Sequence, residues 1–203
     1  MNIEVKISKR PIPYITAINY LEKRVDNIKL GKGQDFLWIL EHPTIFTAGI
    51  RSNENDIIDK NIKIISTKRG GKITLHNPGQ KIIYFALNLN NKKRDIRNLI
   101  NIVENSIIEF LELYNIKSRR DKKNIGIWVK DKKIAAIGIR VSSWIAYHGF
   151  SINIKNNLSF YEKIVPCGLN NKKITSVERQ TKKRVSEIEV KLKKIFLENL
   201  ENI

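Results

Sequence analysis

Cys167 is the only cysteine in the 203 residues, and it stands between Pro166 and Gly168. A single thiol can neither close an intramolecular disulfide nor anchor a multi-thiolate metal site. Two roles are left to it. One is that of a small buried hydrophobe, the commonest fate of a free cysteine. The other is that of a nucleophile. Pro166 fixes φ just before the thiol and Gly168 lets the chain bend sharply after it, which presents one side chain on a rigid turn and suits attack better than packing.

A nucleophilic cysteine needs a group that makes thiolate. An ordinary thiol, with a pKa of ~8.5, is mostly protonated at neutral pH. The candidates are His42, His76, His148 and Lys133. Lys133 opens an otherwise apolar stretch, where a lysine is equally the solvated start of a strand. No two histidines have the i, i+4 spacing of a helical metal pair and no second thiolate exists, so no metal site is expected. A second stretch able to do chemistry is Arg69-Gly70-Gly71-Lys72-Ile73-Thr74-Leu75-His76, followed by Asn77-Pro78-Gly79-Gln80. Paired glycines leave backbone N–H groups open to a ligand or to an oxyanion. Alone, the pair is equally an ordinary hairpin. Ala136, Ile137 and Gly138, with Gly149, Phe150 and Ser151, are small or apolar positions.

The elements that must position these residues are legible as periodicities. Tyr14, Ala17, Ile18, Leu21, Val25 and Ile28 recur at helical spacing, with Pro13 at the first turn and Gly31 at the stop. Residues 36–40 form a fully buried strand that ends in a polar bend over residues 41–49. Residues 62–66 and 81–88 read as strands. Ile96, Leu99, Ile100, Val103, Ile107, Phe110, Leu111 and Tyr114 mark a second helix, capped by Asp95. Residues 125–129 and 133–141 form a hairpin about residues 130–132, and a strand at 145–154 follows. A last helix starts with a capping box, Ser186 with Glu189. Central strands with helices at the sides predict an α+β fold with an α/β-type sheet, one domain over residues 1–203.

Hydrophobic residues make up 41% and charged residues 29% of the chain, a globular composition. No basic segment followed by a long apolar run opens the sequence, and its lone cysteine suits a reducing cytoplasm. The net charge of +18 raises nucleic-acid binding as a reading. The basic residues are spread along the chain, however, and aromatics are not interleaved with them as a single-strand platform needs. An acidic protein partner accounts for the charge equally well.

Taken together, Arg69-Gly70-Gly71-x-x-Thr74-x-His76-x-Pro78-Gly79-Gln80, Lys133-Ile134-Ala135-Ala136-Ile137-Gly138-x-Arg140, His148-Gly149-Phe150 and Pro166-Cys167-Gly168 resemble the lipoyl(octanoyl) transferases of lipoate biosynthesis. Glu41-His42-Pro43, Thr47, Gly49 and Thr175-Ser176 fit the same pattern. The motifs stand in the family's order over nearly the whole chain. The resemblance implies the fold of the biotin and lipoate protein ligases. It implies a Cys167/Lys133 dyad that passes octanoate from octanoyl-acyl carrier protein to the lysine of lipoyl domains, those of 2-oxoacid dehydrogenases and the glycine cleavage H protein. Substrate would be held by residues 69–76, 136–138 and 149–151. It implies a cytoplasmic enzyme with no cofactor, no membrane and no nucleic acid, acting as a monomer. Leu75 stands where the family has Tyr, and Asn77 where it has Gly, both in the ligand-facing loop. Two other readings are an ATP-dependent lipoate or biotin ligase of the same fold, which would not need Cys167, and a basic nucleic-acid-binding module.

Overall fold

The computed structural model describes residues 2–90, 92–121, 124–165 and 174–203. In chain order its elements are β1 (Ile3–Ile7), α1 (Tyr14–Lys29), β2 (Asp35–Leu40), β3 (Ile45–Ala48), β4 (Ile64–Ser66), β5 (Thr74–His76), β6 (Gln80–Asn88), α2 (Ile96–Glu112), β7 (Arg119–Arg120), β8 (Ile127–Val129), β9 (Lys132–Ser142), β10 (Ile145–Asn153), α3 (Val177–Gln180) and α4 (Ile188–Leu200). One sheet has seven strands in the order β1-β2-β6-β10-β9-β8-β7, and a smaller one runs β4-β3-β5. In the large sheet β1 and β2 are parallel and the other neighbours antiparallel.

Alternation along the central strands decides the layering. Phe36, Trp38 and Leu40 of β2, with Ile82, Tyr84 and Ala86 of β6, face α1 and pack on Ala17, Leu21, Val25 and Ile28. Leu37, Ile39, Ile83, Phe85 and Leu87 face the other way, onto Phe110 and Leu111 of α2 and Leu192 and Phe196 of α4. The small sheet has its own apolar underside, where Phe46, Ile73, Leu75, Leu158, Tyr161 and Ile164 meet. The layers are those of the α+β fold that the patterns predict.

The helix ends follow local chemistry, with one exception. Asp95 caps α2, its carboxylate accepting from the Asn98 N–H at 3.0 Å, and Gly31 takes a φ of 70° just past α1. Pro13 is the residue before α1 rather than part of its first turn. The capping box at the last helix does not form: the residue before α4 is Glu187 and no side chain caps it. Glu189 reaches instead to Lys81 of β6, and the Ser186 carbonyl accepts from the Tyr114 hydroxyl at 3.0 Å. The polar bend at 41–49 contains the strand β3, because Phe46 pairs with both Leu75 and Ile64. The N-terminal strand β1, which alternates apolar Ile3, Val5 and Ile7 with Glu4 and Lys6, is an element the pattern reading above passes over; it pairs parallel with β2. Among the described residues no helix is long and apolar enough to cross a membrane.

Candidate active site

Between the two sheets lies a cavity of about 300 Å³, at the lower end of the range for small-molecule sites. Its wall is built from four places in the sequence. Arg69, Gly71, Lys72, Ile73, Thr74 and His76 come from the glycine loop and β5; Ile82 and Tyr84 from β6; Lys133, Ala136, Ile137 and Gly138 from β9; His148, Gly149, Phe150 and Ser151 from β10. Arg51, Asn124 and Ile125 complete it. Among the described residues no cluster of His, Cys, Asp or Glu could hold a metal ion.

Lys133 is 5% exposed. A lysine is rarely so buried, and here the backbone around it makes the room. Its ammonium lies 5.6 Å from the centre of the Trp128 ring. Gly126, at φ 130°, leaves the space its chain occupies: a Cβ there would stand 2.4 Å from Lys133 Cε. On the other side Ile174 forms a parallel bridge with Lys133, and the Thr175 N–H donates to the Lys133 carbonyl at 2.9 Å. Ile174 is the first described residue after the segment that carries Cys167; Cys167 itself lies outside the described residues.

The glycine loop is held in place through its carbonyls. The Ile50 and Arg51 N–H groups donate to the Arg69 and Gly71 carbonyls, each at 3.1 Å. Arg69 donates to the Thr47 carbonyl at 2.8 Å and to the Thr47 hydroxyl at 2.9 Å. Gly49 is required at this crossing, since a Cβ there would come within 2.4 Å of the Gly71 carbonyl oxygen.

The three histidines differ in their partners. His42 Nδ1 bonds the Ile12 carbonyl at 2.7 Å and Nε2 the Tyr84 hydroxyl at 2.9 Å. A carbonyl only accepts, so Nδ1 carries the proton and Tyr84 donates to Nε2. His76 Nδ1 bonds Gln80 Oε1 at 2.7 Å. His148, 4% exposed, has both ring nitrogens buried without a partner among the described residues. It also has a φ of 68°. An unpartnered buried polar group costs ~1–3 kcal/mol and a left-handed φ in a non-glycine residue a similar ~1–3 kcal/mol. Burial holds all three rings neutral: His42 is lowered to about 4, His76 to about 3 with help from His42 and Arg69, and His148 to about 4 with help from Arg69 and Arg140.

The lipoyl protein ligase A/B catalytic domain family matches residues 13–200. An octanoyltransferase of Bartonella bacilliformis is 41% identical over 189 residues, which cover 86% of this chain and 78% of that protein. The chain belongs to the octanoyltransferases of this family. Its activity is octanoyl transfer in lipoate biosynthesis, and the enzyme is an acyltransferase. A crystal structure of lipoate-protein ligase A bound with ATP superposes with a TM-score of 0.81 at 13% identity, over 99% of this chain and 86% of that one. A biotin protein ligase from Aquifex aeolicus in complex with biotin and ATP gives a TM-score of 0.56 at 17% identity, over 99% and 71%. At these identities the likeness is one of fold, and it is the ligase-like fold that the motifs imply.

Within this octanoyltransferase the structure brings most of the residues singled out by type and spacing to one cavity. Gly70 and Leu75 fall outside the lining. Gly70 backs onto the Ile139 carbonyl, 3.2 Å from where its Cβ would be. Leu75 sits between Thr74 and His76 on β5, so alternation turns it away from the cavity into the small sheet's core, where it is fully buried. Asn77 likewise faces away, donating to the Asn157 carbonyl at 2.8 Å and accepting from Asn156 at 2.9 Å. The two departures from the family motif therefore do not lie in the ligand-facing loop. The residues that sequence reasoning passed over are Arg51, Ile82, Tyr84, Asn124, Ile125 and Gly126. Of these only Gly126, a glycine inside an apolar strand pattern, carries a local signal.

Proposed function

We propose that this octanoyltransferase works by a double displacement on Cys167, with Lys133 as the proton carrier, octanoyl-acyl carrier protein as donor and the lysine of a lipoyl domain as acceptor. The Cys167 thiol gives its proton to Lys133. The thiolate attacks the thioester carbonyl carbon, the donor's C–S bond breaks, and the departing thiolate takes the proton back from Lys133. The acceptor amine then attacks the octanoyl-Cys167 thioester. Its surplus proton passes to Lys133 as the Cys167 thiolate leaves, which restores the starting ion pair. A cation ~4 Å from a thiolate contributes ~4 kcal/mol at an effective dielectric near 20, which is enough to make thiolate the main form. Thioester to thioester is near balance and thioester to amide runs downhill, so no ATP enters.

The observation that carries this reading is the position of Lys133: buried on the wall of the cavity and bridged to Ile174, where the chain returns from Cys167. The lining at Ile137, Ile82 and Phe150 supplies apolar surface for the acyl chain. Residues 1–203 act as one catalytic domain, as a monomer in the cytoplasm. The test is intact mass after mixing with octanoyl-acyl carrier protein and no acceptor. One octanoyl group appears on the wild type, none on Cys167→Ala, and added ATP and Mg²⁺ change neither result. An octanoylated Cys167→Ala protein would overturn the assignment.

A further inference from the structure

Period two along β10 sends Ala146, Phe150 and Ile152 toward α2 and α4, and Tyr147 toward α1. His148 belongs by spacing with Ala146 and Phe150. Its ring lies instead with the α1 layer, stacked on its own neighbour Tyr147 at 4.9 Å and 21° and edge-on to Tyr84 at 6.4 Å and 71°. The backbone brings this about through the φ of 68° at His148 and the φ of 151° at Gly149. Gly149 is confined to glycine twice over, since a Cβ there would stand 1.9 Å from the Ile83 carbonyl oxygen. The strand thus breaks its alternation to place one imidazole on the cavity wall, where neither nitrogen has a partner among the described residues. Strain and an unsatisfied buried polar group at one cavity residue point to a ligand atom that completes the bond.

We propose that His148 is a catalytic hydrogen-bond donor to the carbonyl oxygen of the octanoyl thioester and to the oxyanion that develops on it. This rests on the double displacement above. A thioester carbonyl accepts and never donates, so it pairs with the ring's N–H. The neighbouring guanidinium, Arg69, is already engaged by Thr47 and by the Gly70 carbonyl. Burial, with Arg69 and Arg140 nearby, keeps the ring neutral near neutrality. It therefore donates without transferring its proton, as a neutral imidazole does in other carbonyl chemistry. The attacking thiolate pushes an electron pair onto the oxygen, the N–H···O hydrogen bond strengthens, and the pair returns when the C–S bond breaks. The carbonyl oxygen of the acyl-enzyme keeps the same donor when the acceptor lysine attacks in the second half.

His148→Phe keeps an aromatic ring and removes both nitrogens. His148→Asn keeps an N–H and tolerates a left-handed φ. The readouts are the single-turnover rate of Cys167 acylation by octanoyl-acyl carrier protein, kcat and KM for transfer, and the melting temperature. The inference expects His148→Phe to lose ~10²-fold or more in acylation rate and kcat. KM should stay within ~3-fold, and the melting temperature should be unchanged or higher, because no buried nitrogen is left unpaired. His148→Asn should recover ~10-fold over His148→Phe. A His148→Phe enzyme within ~3-fold of wild type in kcat overturns it, as does a loss confined to KM or a His148→Asn enzyme no better than His148→Phe. If His148→Phe fails to fold, His148→Gly with added imidazole takes its place: rescue of the acylation rate supports the inference and its absence overturns it. A wild type that is never acylated on Cys167 overturns the double displacement itself, whereas a normally acylated wild type beside an active His148→Phe enzyme overturns this inference alone.

Discussion

Gly126 does for Lys133 what no side chain could. Its φ of 130° is glycine territory, and its missing Cβ is the space through which Lys133 Cε and Nζ reach the cavity. Gly126→Ala therefore has two effects that separate experimentally. The strained φ lowers stability by ~1–3 kcal/mol, seen as an earlier urea midpoint. The new methyl displaces the ammonium, so Cys167 reacts more slowly with a thiol reagent at pH 7, as it does in Lys133→Met. Lys133→Arg retains the charge and regains part of that reactivity, but releases no proton near neutrality and stays inactive in transfer. Equal alkylation–pH profiles in all four proteins would remove Lys133 as the partner of Cys167.

At the scale of elements, α4 packs Leu192 and Phe196 on the large sheet, and its first turn is tied there by charge instead of closing on the predicted cap. Lys81 on β6 is only 12% exposed at its side chain and bridges Glu41, at 2.7 Å, and Glu189 of α4. A working Ser186 cap would cost ~1 kcal/mol to remove. Because none exists, Ser186→Ala should leave the urea-unfolding free energy within ~0.5 kcal/mol of wild type. Lys81→Met strands two partly buried carboxylates and should cost ~1–2 kcal/mol after allowance for solvent screening. The opposite ranking in the same urea series would restore the cap. The motif misled because Glu189 had two possible partners, and the sheet lies on the side that the helix must bury.

At the scale of the whole molecule two titrations are set by the fold. His42, His76 and His148 are neutral when folded, at about 4, 3 and 4, against ~6.5 in an unfolded chain. Unfolding therefore takes up protons below ~6.5, and the stability these rings hold above that pH is lost as the pH falls toward their folded values. Between pH 6 and pH 5 each ring accounts for ~1 kcal/mol, so urea midpoints should drop steeply over that unit, above the range where carboxylates titrate. A flat profile from pH 7 to pH 5 would show that the rings are not neutral and buried. The second titration is ionic strength. The chain carries +18, with Arg51 and Lys72 on the cavity lining. KM for an acidic acyl carrier protein should rise steeply with salt once the Debye length falls below ~8 Å. An unchanged KM across that range would rule out electrostatic docking. Of the lysines near Cys167, Lys163 is shared with Asp59 at 3.1 Å, and Lys172 and Lys173 lie outside the described residues.

The helices, the buried strands and the Asp95 cap were legible in the sequence because each is a local matter of period and end chemistry. The motif residues Arg69, Lys133 and His148 were legible through their resemblance to the family's pattern, and the fold gathers all three on one cavity wall. What only the tertiary structure decided is how each group is surrounded. That Leu75 turns away from the cavity follows from β5 pairing with β3 across a gap in sequence, and that Asn77 does so follows from its bonds to the distant Asn156 and Asn157. That Lys133 fits beside Gly126 follows from the register of β8 on β9. That His148, alone among the three histidines, keeps two nitrogens without a partner among the described residues follows from a single left-handed φ within β10. Residue type fixes what a side chain can do; the pairing of distant strands fixes what it meets, and no local pattern encodes that pairing.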